Sequence, residues 1–72
     1  MFMNIQELID KHGGITRVAG KSGMTRQTLW RWIRGENDLR GYNEYNLCTV
    51  LEVQRSELMT MITEHRKKIE NT

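Results

Sequence analysis

The residues best equipped for chemistry stand close together: Arg26, Gln27, Thr28 and Arg31, with Thr25 just ahead of them. None of them forms a nucleophile–base pair. They are hydrogen-bonding groups of the kind that match base edges. An arginine fork can donate twice to guanine O6 and N7, and a glutamine amide can both donate to and accept from adenine N6 and N7. Arg31 lies one helical turn beyond Gln27, where it can reach a further base or a phosphate. Thr25 and Thr28 complete the leading edge, Thr28 as a further base contact and Thr25 as a phosphate contact. Arg34 and Arg40, with the amides of Asn37 and Asn43, follow at distances that suit backbone phosphates, which fix register without reading sequence. The alternative is that these arginines only solvate an ordinary helix face.

Other chemistries lack their residues. His12, His65 and Cys48 are scattered without the spacing of metal ligands, so no metal and no cofactor is expected. Gly13-Gly14 is not followed by the Lys-Ser/Thr of a phosphate loop. The expectation is a binding protein, not an enzyme. Cys48, alone and within an apolar helical pattern, reads as a buried, inert thiol. The five methionines read as core filler or interface.

The 72 residues suit one domain over 1–72, and a core of this size gains from a second copy of the chain. Net charge is only +2, but it is uneven. Between residues 15 and 40, Arg17, Lys21, Arg26, Arg31, Arg34 and Arg40 stand against Glu36 and Asp38, a local excess of +4. Such a patch fits a polyanion partner. No apolar run approaches the ~20 residues of a membrane span and no leader is visible, so a cytoplasmic protein is expected.

These side chains must be positioned by helices. Proline is absent and apolar residues recur at helical spacing, which predicts an all-α fold of five helices. Asn4, with Glu7 three residues on, makes a capping box for a helix over 4–12 that buries Ile5, Leu8 and Ile9 and ends at His12. Phe2 is placed to staple onto it. Gly13-Gly14 stops this helix. A short helix over 15–21 turns Val18 and Ala19 inward, and Gly23 supplies a tight turn. Thr25 caps the third helix, whose buried stripe is Leu29, Trp32 and Ile33 and which Gly35 ends. Trp30 falls between the apolar and basic sides, open to partial packing or to contact with DNA. The segment 36–41 reads as a loop, with Asn37, Asp38 and Gly41 as turn formers. A fourth helix spans 42–52, with Tyr42, Tyr45 or Asn46, Leu47, Val50 and Leu51 on its face. A fifth begins near Arg55 and extends to about 66, beyond which the charged end is expected to fray. Met59, Met61, Ile62, His65 and Ile69 on this last helix are a candidate dimer interface.

The run MTRQTLWRWIRGENDLRGYNEYNLCTVLEVQRSEL resembles the lambda-repressor-like helix-turn-helix family of phage repressors, Cro proteins and xenobiotic-response-element-type regulators. The likeness lies in Gly35 ending the third helix, the Asn37 loop, Tyr42-Asn43 opening the next helix, and the spacing to Leu51, Val53 and Leu58. It covers about residues 13–58. It implies a helix-turn-helix over about 15–35, with the third helix in the major groove. Arg26 and Gln27 would then be the main base readers and Arg31 a third. Asn37 would reach a base or phosphate from the loop, and Arg34, Arg40 and Asn43 would clamp phosphates. The chain departs from the family at three places. Ile15 stands where a glutamine often braces the reading helix, which leaves the phosphate to Thr16 or Arg17. Ser22 stands where a bulky apolar residue is usual, and Trp30 where a small one is.

The function expected is a transcription regulator, a repressor of the phage or prophage type, binding a near-palindromic double-stranded operator as a homodimer. The alternative is a protein-interaction module on the same fold, such as an antitoxin or accessory protein.

Overall fold

The structure, a computed structural model, describes residues 3–70. Five helices follow one another: α1 (Ile5–Lys11), α2 (Ile15–Lys21), α3 (Arg26–Ile33), α4 (Gly41–Leu51) and α5 (Arg55–Glu70). No strand occurs among the described residues, and the fold is all-α as expected. The expected staple by Phe2 lies outside those residues.

α1 begins with the anticipated box: Asn4 Oδ1 accepts from Glu7 N at 2.8 Å, and Glu7 Oε1 accepts from Asn4 N at 3.4 Å. It ends at His12, whose Nδ1 bonds Leu8 O at 2.9 Å and whose Nε2 faces Glu52 Oε2 at 3.4 Å. α2 packs on α1, α3 and α4, and α5 lies across α1, α3 and α4. One core joins all five helices: Ile5, Leu8 and Ile9; Val18 and Ala19; Leu29, Trp32 and Ile33; Leu47 and Leu51; Leu58 and Ile62. Ala19 has no exposed surface, as a small residue at a close helix crossing should.

α4 differs from expectation at its start. Gly41 is helical and is not a turn residue. Tyr42 and Tyr45 are 61% and 73% exposed, and the inward row is Asn43, Leu47 and Leu51 at four-residue spacing. The aromatic residues suggested an apolar face. The helix instead rotates so that its small polar residue, and not a tyrosine, meets the turn after α2.

α5 also differs, being helical to Glu70 where an end near 66 was expected; residues 71–72 lie outside the described residues. Arg66 is anchored on α3, and Lys67 and Lys68 lie at the helix C-terminus, where positive charge is favoured. Cys48 is half-buried. Burial pushes its thiol up, Glu44 adds to this, and Arg55 opposes it. No helix is long and apolar enough to cross a membrane among the described residues.

Candidate nucleic-acid interface

α2, the turn at residues 22–25 and α3 hold the candidate readers. The turn closes with Met24 N on Ala19 O at 3.0 Å, and Gly23 takes φ +78°, a conformation that glycine adopts at little cost. α3 starts at Thr25, whose Oγ1 accepts from Thr28 N at 3.1 Å. Burying Leu29, Trp32 and Ile33 fixes the rotation of the helix. Arg26, Gln27 and Arg31 are left exposed, with no hydrogen bond or ion pair among the described residues. Their donors and acceptors need not be withdrawn from the protein before they meet a partner. No acid lies in the first turn of α3, so the partial positive charge of its N-terminus is not offset there.

The threonines are partly engaged. Thr25 Oγ1 and Thr28 Oγ1 lie 2.9 Å apart, one hydroxyl donating to the other. Thr28 is half-buried, so it belongs as much to the cap as to the outer face. Thr16 and Arg17 are exposed on α2. The arm of Arg17 lies back across Gly13: a Cβ at Gly13 would stand 2.5 Å from Arg17 Cδ.

Arg34 and Arg40 are exposed, but among the described residues only Arg34 of the two is paired, through Nε to Glu36 Oε2 at 2.7 Å. A phosphate at Arg34 has to displace that carboxylate. Exposed pairs of this kind contribute only about 0–1 kcal/mol, so the competition is weak. Asn37 offers less than expected. Its Oδ1 is buried without a partner among the described residues, and its Nδ2 donates to Asp38 O at 3.3 Å. It therefore presents an amide N–H but not the donor–acceptor pair that bidentate base reading uses.

Asn43 is not a phosphate clamp in this structure. It is 8% exposed, and its Nδ2 donates to Ser22 O at 3.0 Å and to Gly23 O at 3.5 Å. The expected donor is spent on the turn. Ser22, fully buried, donates its own hydroxyl to Val18 O at 2.8 Å. A polar pair thus occupies the place where an apolar side chain was anticipated. Through this link the first turn of α4, which Arg40 precedes as N-cap, sits against the turn before α3.

Trp32 is core at 4% exposure, as expected, while Trp30 is 40% exposed. Trp30 lines a shallow cleft with Gln6, Ile9, Ile15 and His65. The structure shows the partial packing, and the same 40% exposure leaves ring surface open to the other reading, a contact with DNA.

The candidate dimer residues on α5 separate. Ile62 has no exposed surface, so it belongs to the chain's own core and not to an interface. Met59 and Met61 are partly buried against that core, His65 is half-buried, and Ile69 is 43% exposed. A roomy groove lies elsewhere. It is about 750 Å³, runs between α4 and the start of α5, and is lined by Tyr45, Cys48, Val53 and the Glu44–Arg55 ion pair.

Two supporting roles escaped sequence reasoning. Asn43 holds the turn, and Arg66 on α5 reaches the end of α3, with Nη2 2.5 Å from Trp32 O. Each continues a row of buried residues at four-residue spacing: Asn43 with Leu47 and Leu51, Arg66 with Leu58 and Ile62. That spacing was the available signal. Comparison with family models, with curated proteins and with solved structures gave no match.

Proposed function

We propose that this chain is a sequence-specific double-stranded-DNA-binding regulator of transcription, a cytoplasmic repressor of the phage or prophage type. It binds a near-palindromic operator as a homodimer and places α3 in the major groove. One observation carries the reading. Arg26, Gln27 and Arg31 are exposed on one short, capped helix and make no bond within the described residues. Arg17 and Arg40 supply flanking positive charge for phosphates. Each protomer would read half of the operator, with half-site centres about 34 Å apart.

Selection of bound sequences from a random duplex pool at about 150 mM salt tests this, because purely phosphate-driven binding is weak in that regime. A two-fold symmetric motif is expected. A single half-site would retain the DNA reading and remove the stable dimer. No enrichment by the folded protein would overturn both. On the enriched duplex, Gln27→Ala should cost about 1–3 kcal/mol of binding and relax preference at one or two base pairs.

A second reading, a protein-interaction module, has one observation in its favour: Tyr45 stands 73% exposed on the rim of the groove between α4 and α5. Salt separates the two readings. DNA binding should weaken steeply as salt rises, whereas binding through an apolar groove should not.

A further inference from the structure

α3 is only eight residues long, too short to hold itself in water. Its N-terminal end is fixed by Thr25 and, through the turn, by Asn43. At its C-terminal end the chain supplies two bonds of its own: Gly35 N to Trp32 O at 2.9 Å and Glu36 N to Arg31 O at 2.8 Å. This is the pairing of a Schellman closure, with Gly35 at φ +83°. No backbone N–H among the described residues reaches Ile33 O. Arg66 does, with Nε at 3.4 Å, while its Nη2 donates to Trp32 O at 2.5 Å. Its Cζ lies 5.9 Å from the centre of the Trp32 ring.

The grip therefore has three parts: two carbonyls, an aromatic face and the negative pole of the helix. A planar guanidinium bonded at two points resists rotation, which a single ammonium bond does not. The arm is mounted on a rigid support, because Ile62 and Leu58, one and two turns earlier on α5, have no exposed surface. Gly35 leaves room for it. A Cβ there would stand 3.2 Å from Arg66 Nε, in a backbone conformation that already disfavours a side chain.

We infer that Arg66 is a positioning residue for base reading. It fixes the angle at which α3 presents Arg26, Gln27 and Arg31, and it does so from behind the helix through main-chain carbonyls. The inference rests on the DNA reading above. Two-point hydrogen bonding to a base edge tolerates about 0.5 Å of misplacement, whereas attraction to phosphate is far more forgiving. Loss of Arg66 should therefore lower discrimination between sequences more than it lowers attraction to DNA in general.

The test compares the wild-type chain with R66M and R66K, each shown to be folded by circular dichroism. Affinities are measured on the enriched duplex and on a scrambled one over a range of salt. R66M keeps much of the stem and removes the grip. It should lower the ratio of the two affinities about tenfold, the scale of one bidentate base contact, and leave the salt dependence unchanged. R66K, with one point charge, should recover part of that ratio. Should R66M fail to fold, R66K carries the test by a smaller fall in the same ratio. Equal weakening on both duplexes with a shallower salt dependence would make Arg66 a phosphate contact and overturn the inference. An unchanged ratio with only a lower Tm would make it merely structural and overturn it too. A wild-type chain that enriches no duplex overturns the DNA reading as well, so the two failures are told apart.

Discussion

α3 and α5 divide their surfaces in different ways. The eight residues of α3 bury Leu29, Trp32 and Ile33 and leave Arg26, Gln27 and Arg31 in solvent without internal partners. The sixteen residues of α5 bury Leu58 and Ile62, lean Met59 and Met61 on the same core, and reach Arg66 across to α3. One helix is supported and keeps its outer side chains uncommitted. The other does the supporting, and much of its side-chain chemistry is used inside the molecule. An apolar stripe on a terminal helix is thus no measure of what that helix has left to offer a partner.

The contrast can be broken most directly at Ile62. Ile62→Ala should lower the unfolding free energy in urea by about 2–5 kcal/mol, because it empties part of the core. A variant of undiminished stability with weaker self-association would return Ile62 to an interface. Asn43→Ala should cost about 1–3 kcal/mol, since it strips Ser22 O of a buried partner, and should leave the salt dependence of DNA binding unchanged. A fall of about one unit in that slope would make Asn43 a phosphate clamp after all. Glu36→Gln releases Arg34 from its ion pair at a stability cost of about 1 kcal/mol or less. Titration with any duplex should then show tighter binding, and unaltered affinity would remove Arg34 from the phosphate contacts. The smallest change expected is in the stability of the double variant Arg26→Ala, Gln27→Ala, which should stay within about 0.5 kcal/mol of the parent in the same urea titration. A larger loss would mean that the outer face of α3 is committed to the fold.

Local signals carried most of the helical plan. Asn4 with Glu7, Thr25 with Thr28, and Gly35 all act between near neighbours, so their residue types were enough to place the ends of α1 and α3. The exposure of Arg26, Gln27 and Arg31 followed from the stripe of Leu29, Trp32 and Ile33 by geometry alone. What stayed hidden depended on contacts between distant segments. Asn43 meets Ser22, and Arg66 meets Trp32, and no property of those residues announces which carbonyl lies opposite. Tyr42 and Tyr45 misled because aromatic residues usually bury, whereas the first turn of α4 buries Asn43 and shows them to solvent. The end of α5 misled for the opposite reason: its charged residues looked like a fraying tail, yet one of them is the anchor.

The two-ended hold on α3 also bears on how such a chain changes over generations. Thr25 and Asn43 secure one end of the helix, and Gly35 and Arg66 the other, while positions 26, 27 and 31 add nothing to the core. Substitutions at those three positions can therefore accumulate without passing through unfolded intermediates. Changes on the outer face leave its mounting untouched.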